Sequence, residues 1–362
     1  MKAVVCHELN KISVEEISID PPKAGEVALK MVATGVCHSD LSVINGTLPL
    51  MLPTVLGHEG AGIVEAVGEG VTKVAPGDHV ITSFVPTCGE CFHCLRGEAF
   101  LCTALSPTGR QLDGTTRLRL GDLELGAMTG LGNMAEQVVC PEISVVKIDS
   151  EIPLKTAALV GCGVTTGVGA VINTARVEPG SSVAVFGCGG VGLSVIQGAR
   201  IAGADRIIAV DLAANKLEMS TRFGATDTVN GDEADPVAAI KELTDGIGVD
   251  YAFEAIGVPA VVQQAYLATR RGGSTVVVGV GKVTEQIPFN ALMLPLEGKT
   301  VYGCMYGSCN PRVDFPKLLD LSLRGKLDLE GMVTNTYTID EAPQAFEDLE
   351  KGLNARGVIL FD

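Results

Sequence analysis

Residues 181 to 204 read SSVAVFGCGGVGLSVIQGARIAGA, and no other stretch limits the possible folds so sharply. An apolar run too short for a helix stops at a glycine cluster, and the following residues space their apolar side chains as a helix does. That is the strand, turn and helix of a dinucleotide-binding unit. Gly187 permits the tight turn, and Gly189 lets backbone approach a pyrophosphate at the helix N-terminus. Gly192 allows the helix to pack closely on the strand. A lone glycine motif is weak, but the next apolar run, RIIAVD, ends in Asp211 about twenty residues beyond Gly192. An acidic side chain there accepts hydrogen bonds from both ribose hydroxyls. A 2′-phosphate would be repelled by it and would call for an arginine, whereas Leu212, Ala213 and Ala214 follow. The spacing therefore favours NAD, against the blander reading of a surface aspartate at a strand end.

A unit of this kind accounts for less than half of 362 residues, so a second domain is expected, and with it a cleft. Hydrophobic residues at 46% and charged ones at 19% are globular values, and no apolar run is long enough to cross a bilayer as a helix. The start, MKAVVCHELNKISVEEISID, alternates like a strand and shows no secretory pattern, so the expected location is the cytoplasm. A net charge of −16 without long acidic blocks argues against a nucleic-acid partner. Small molecules are the expected ligands.

Eleven cysteines in such a compartment point to metal or redox chemistry rather than disulfides. Cys88, Cys91, Cys94 and Cys102 have the form C-x2-C-x2-C-x7-C, and four thiolates on one short loop can close a tetrahedron around a structural zinc. A redox pair, an iron–sulfur cluster and no metal at all compete with that reading, and spacing alone does not exclude the cluster. His93 is a bystander.

A second set is dispersed. Cys37 lies in TGVCHSD, His58 and Glu59 in LGHEGAG and Cys162 in VGCGVTTGVG; two sulfurs and an imidazole would leave a fourth zinc position open for substrate. Each residue alone is more often a packed cysteine or a hydrogen-bonded histidine than a metal ligand. The glycine-rich settings, and Asp40 and Glu59 as potential supports behind the ligands, favour the metal.

Short alternating runs broken by Gly and Pro place an antiparallel β-rich domain over residues 1–163. Apolar strands alternating with helical segments give a doubly wound parallel sheet over 164–304, and 305–362 is expected to return to the first domain.

Taken together, GHEGAGIVEAVGEGV, the four-cysteine lobe, Cys162 and GCGGVG resemble the zinc-containing alcohol dehydrogenases of the medium-chain dehydrogenase/reductase family, essentially end to end. The resemblance implies an α/β fold, with a GroES-like catalytic domain and a Rossmann domain, NAD, two Zn²⁺ per subunit, and a homodimer, with a tetramer as the other assembly. By the same resemblance Cys37, His58 and Cys162 hold the catalytic zinc and the four-cysteine lobe the structural one. Asp40 orients His58, Glu59 sits behind the metal, and Ser39 supplies the first hydroxyl of a proton relay. Gly190 joins Gly187, Gly189 and Gly192 in facing the pyrophosphate, Val191 is a further cofactor residue, and Val280 serves both the cofactor and the substrate pocket. Lys216 lies near the adenosine ribose, His38 and Arg356 neutralise phosphate charge, and Thr166 packs beside the nicotinamide. Leu48, Phe84, Ala127 and Met128 line an apolar substrate pocket.

Two departures bear on specificity. Where many members carry a histidine that passes the proton to solvent, this chain has Ser42; where members acting on the glutathione adduct of formaldehyde carry an aspartate and an arginine, it has Leu48 and Ser106. The expected activity is reversible hydride transfer between NAD and a hydrophobic primary alcohol, of the aromatic or terpenoid kind. The alternatives are secondary alcohols and, further off, an NAD-binding protein without activity on the same scaffold.

Overall fold

The computed structural model describes residues 1–361. The chain forms two compact units: Met1–Cys162 joined by Asn310–Leu323 and the segment from Leu329 onward, and Gly163–Cys309 joined by Arg324–Asp328. Against the expected return at 305, the chain leaves the second unit at Asn310 and comes back to it for Arg324–Asp328. There Gln197 Oε1 accepts the Asp328 amide at 2.7 Å and Arg200 Nη2 donates to the Lys326 carbonyl at 2.8 Å.

In the first unit the long strand Glu26–Val36 is the organising element. It pairs antiparallel with Gly60–Val67, Gln137–Pro141 and the closing strand Arg356–Leu360. Its alternating burial puts Val27, Leu29 and Met31 into one apolar cluster with Val64 and Val138. The register Gly357 opposite Val36 carries Arg356 to the end of that strand, next to Cys37. A further six-stranded sheet begins at the N-terminal hairpin Lys2–Glu8 and Lys11–Glu16.

The second unit holds a six-stranded, wholly parallel sheet in the order Asp227–Asn230, Arg206–Asp211, Ser182–Phe186, Val249–Glu254, Thr269–Val277, Thr300–Gly303. Strands such as VAVF and IIAV are apolar throughout because parallel sheets are covered on both faces, and Ala184, Phe186, Ile208 and Ala252 are buried accordingly. Strand order reverses between Ser182–Phe186 and Val249–Glu254, and a ligand crevice opens at such a reversal. Two elements escape the sequence reading. The helix Pro236–Leu243 was signalled by Asp235, whose carboxylate accepts the Val237 amide at 2.9 Å, and by Pro at the first turn. The edge strand Thr300–Gly303 is too short to show a period. No single helix among the described residues is long and apolar enough to cross a membrane.

Candidate active site

Cys37 follows the strand Glu26–Val36 and caps the short helix His38–Ile44, so the extended backbone turns there and the thiol sits, buried, at the end of the strand. His58 and Glu59 lie just before the strand Gly60–Val67, and Cys162 directly follows the helical turn Ala158–Gly161. One ligand atom from each of Cys37, His58, Glu59 and Cys162 falls within 4.8 Å of all the others, and all four residues are buried.

The supports behind these donors define which atoms face inward. Asp40, wholly buried, accepts the Gly57 amide at 2.9 Å and faces His58 Nδ1 at 3.3 Å. That fixes the proton on Nδ1 and leaves Nε2, which has no hydrogen-bond partner, turned toward the sulfurs. Glu59 pairs with Arg356 Nη2, and Gly35 opposite them has no side chain to obstruct the contact. Thr34 Oγ1 holds the Glu59 carbonyl at 2.5 Å. Ser39 lies beside Cys37, its Oγ at 3.9 Å from the sulfur.

The electrostatics point the same way. The neighbouring Cys162 thiol holds the Cys37 thiol well below its usual range, and the same contact pushes Cys162 well above. Burial works against a charged His58, but Asp40 and Cys37 outweigh it and raise the imidazole. Two adjacent buried sulfurs thus compete for one negative charge, a conflict that a bound cation removes. Two thiols, an orphaned imidazole nitrogen and a nearby carboxylate make a donor set that suits zinc.

Cys88, Cys91, Cys94 and Cys102 form the second set. Cys102 Sγ lies 3.5 Å from Cys88 Sγ, and Cys91 Sγ 4.0 Å from Cys102 Sγ, with all four within 4.8 Å of one another. The Cys94 amide points at the Cys91 sulfur and holds that thiol down at about 5, while burial pushes Cys94 and Cys102 up. The four sulfurs close on each other without a gap for substrate. His93 stays outside them, bonded to Glu98 at 3.0 Å.

In the second unit the phosphate turn has the expected form. Gly187 sits at φ 92°, a value only glycine adopts freely, and an added Cβ would lie 2.5 Å from Ile256 Cγ1. A Cβ at Gly189 would meet nothing within 4 Å, so that face is open where the helix Gly190–Ala202 begins, with Val191 in its first turn. At Gly192 an added Cβ would strike the Gly187 carbonyl. Asp211 ends its strand with Oδ2 accepting the Cys188 amide at 2.8 Å and Oδ1 the Ala213 amide at 3.0 Å. Each oxygen retains a lone pair for a ribose hydroxyl. Lys216 lies half-buried in the helix Ala214–Phe223, Thr166 half-buried in Gly163–Gly169, and Val280 is exposed. The residues present fit the dinucleotide.

Other predicted residues are distributed differently. The Phe84 ring meets the His58 ring edge-on with centroids 5.7 Å apart. Leu48 and Met128 share one apolar cluster with Leu56, but Ala127 belongs to another, with Val5 and Val55. Arg356, expected at a phosphate, is buried against Glu59 because the pairing of the closing strand delivers it there. His38 is exposed. Sequence reasoning missed Asn133, which is buried, donates its amide to the Gly57 carbonyl at 3.0 Å and its Nδ2 to Thr82 Oγ1 at 2.7 Å, and so braces the His58 loop. Nothing in the surrounding LGNMAEQ signals this.

A cysteine–histidine pocket, a four-thiol knot and a dinucleotide turn in one chain define a zinc- and nucleotide-using oxidoreductase. The sequence pattern of the alcohol dehydrogenase GroES-like domain matches residues 23–150, and that of the zinc-binding dehydrogenases matches residues 190–324. An S-(hydroxymethyl)glutathione dehydrogenase of Escherichia coli O6:K15:H31 is 42% identical over 97% of this chain and 96% of its own length. Among solved structures, an alcohol dehydrogenase zinc-binding domain protein from Burkholderia ambifaria matches with a TM-score of 0.95 and 38% identity, covering 100% of this chain and 98% of that one. The benzyl alcohol dehydrogenase of Acinetobacter calcoaceticus matches with a TM-score of 0.94 and 36% identity, covering 100% and 99%. The chain belongs to the zinc-containing, NAD-dependent alcohol dehydrogenases of the medium-chain dehydrogenase/reductase family.

A carboxylate at the position of Asp211, at the end of its strand, would repel a 2′-phosphate. Asp211→Ala is expected to shift the NAD/NADP ratio of kcat/KM toward NADP by at least about 10-fold, since one repulsive contact of about 1.4 kcal/mol has that effect. An unchanged ratio would remove Asp211 from coenzyme selection.

Proposed function

We propose that the enzyme interconverts a hydrophobic primary alcohol and its aldehyde, with benzylic alcohols the leading candidates. The supporting observation is the apolar wall beside the proposed metal position: Phe84 stands edge-on to His58, and position 48 is a leucine packed into the apolar cluster that holds Met128. The benzyl alcohol dehydrogenase similarity agrees with it.

Cys37, His58 and Cys162 would hold the catalytic zinc, and Cys88, Cys91, Cys94 and Cys102 the structural one. Bound in the first site, zinc supplies Lewis-acid polarisation of the alcohol or carbonyl oxygen, and NAD in the second unit supplies the two-electron redox capacity. The chain's own residues do the rest. Asp40 keeps the His58 proton on Nδ1, Ser39 offers a hydroxyl to receive the substrate proton, and Phe84 excludes water from the metal side. Ser42 has no basic nitrogen, so the proton leaves through hydroxyls and water rather than through a histidine at that position.

The relative named for S-(hydroxymethyl)glutathione favours a second reading, oxidation of the glutathione adduct of formaldehyde. A charged tripeptide needs charges to grip it. Position 48 offers none, Ser106 is neutral, and the nearby cation, Arg110, is engaged by Glu124 at 3.2 Å through both terminal nitrogens. NADH formation followed by absorbance should therefore give kcat/KM for benzyl alcohol at least about 100-fold above that for formaldehyde with glutathione, a margin typical of discrimination by one pocket. The reverse order would replace the first reading with the second.

A homodimer is the proposed assembly. The strand Thr300–Gly303 closes one edge of the parallel sheet, Tyr302 on it is exposed, and Leu292 and Leu296 in the preceding segment are exposed as well. An open apolar edge of this kind is a template for a second chain. Light scattering on the purified protein should give twice the 37.5 kDa chain mass, and Tyr302→Lys should shift the species toward the monomer. A monomeric wild type would discard the assembly.

A further inference from the structure

The strand Val249–Glu254 ends beside the reversal of strand order, and its last residue carries a carboxyl with no assigned role. Glu254 is wholly buried. Its Oε1 accepts the Ile256 amide at 2.9 Å and the Gly257 amide at 2.6 Å, while Oε2 has no hydrogen-bond partner. Its backbone carbonyl accepts the Val278 amide at 2.8 Å and the Gly279 amide at 3.0 Å. One residue thus ties together two loops that leave the carboxyl ends of adjacent strands.

Those loops border the coenzyme crevice. Ala255 donates its amide to the Phe186 carbonyl at 2.9 Å, so the loop starts alongside the phosphate turn, and Ile256 covers Gly187. Gly257, at φ 90°, has no room for a Cβ because the Val280 backbone occupies that space; Gly279 is hemmed in by the Gly257 amide in the same way. Such crossings hold only if the tight turn after Glu254 is kept closed. Burial raises the Glu254 pKa, and the amides of Gly257, Ile256, Val258 and Gly279 oppose that shift, as donors converging on one carboxyl do.

We propose that Glu254 is a positioning residue for the coenzyme: by closing the 255–258 turn it sets Ile256 against the phosphate turn and holds the 278–280 segment in register beside it. This rests on the NAD reading of the second unit. Glutamate serves here because its side chain is long enough to bring one carboxyl oxygen to two adjacent amides.

The test uses the full-length, zinc-replete protein, with NADH fluorescence enhancement for affinity and amide hydrogen exchange without coenzyme for the turn. Glu254→Leu should speed exchange at Ile256 and Gly257 and raise the NADH Kd by at least about 10-fold, the equivalent of one buried amide left unpaired. Glu254→Gln, which retains an oxygen acceptor, should recover most of that affinity. Should Glu254→Leu fail to fold, Ile256→Ala, which shortens an exposed side chain and keeps the backbone amide bonded to Glu254, should still raise the Kd by at least about 3-fold, the effect of one or two lost methylenes. Faster exchange and a lower Tm with NADH Kd unchanged in every folded variant would overturn the proposal and leave Glu254 a purely structural residue. A wild type that binds no NADH would remove the coenzyme reading and this inference with it; a wild type that binds, with variants that bind equally, removes the inference alone.

Discussion

Cys37→Ser is expected to lower turnover by more than about 100-fold and to leave one zinc per chain instead of two, as measured by NADH absorbance and by metal analysis of the same sample. The magnitude follows from comparison. Removing a supporting partner behind a metal ligand costs about 10- to 100-fold in affinity or activity, and a lost ligand should cost more than a lost support. Asp40→Asn supplies the lower reference, since the amide still faces His58 Nδ1 but without charge. The four-thiol set lies in a separate loop, so its zinc should be retained in both variants. Full activity in Cys37→Ser, or loss of both metals together, would sink the assignment of two independent sites.

The second large effect concerns stability. Arg117 is buried and meets Glu26 through two bonds, Nε to Oε2 at 2.9 Å and Nη2 to Oε1 at 2.6 Å, with Asp113 adding a third contact at 3.0 Å. This joins the loop before the strand Leu118–Leu120 to the start of the strand Glu26–Val36, 91 positions away in the chain. Breaking a buried pair by removing one partner leaves the other charge stranded, at a cost of about 3–5 kcal/mol. Arg117→Met should therefore lower the unfolding free energy by that amount, read as a lower denaturant midpoint at unchanged m. The double variant Arg117→Met with Glu26→Gln should recover part of it, because the stranded charge is gone. A single variant within about 0.5 kcal/mol of wild type would show the pair to be solvated, as ordinary surface pairs are.

Residues near in sequence were the legible ones. The spacing of Cys88, Cys91, Cys94 and Cys102 needs only a local loop to bring four sulfurs together, and the run from Ser182 through Gly192 to Asp211 is one strand, turn, helix and strand. Local periodicity and turn chemistry suffice for such features. The dispersed candidates Cys37, His58 and Cys162 were grouped by their glycine-rich settings and by family resemblance, not by spacing. What joins them is the pairing of distant strands, and residue types in isolation do not encode register.

Chemical capacity, then, was determined by the sequence itself: two cysteine sets and a dinucleotide turn with an acid at the expected distance. Which atoms act was decided only by the tertiary structure. It turned His58 Nε2 inward by placing Asp40 behind Nδ1, brought Arg356 from the end of the chain onto Glu59, moved Ala127 into a different apolar cluster from Met128, and closed the turn after Glu254. The physical reason is common to all four. Each depends on which buried polar or apolar group finds a partner across a long stretch of chain, and the need to satisfy every buried group is met by the whole fold rather than by any one segment.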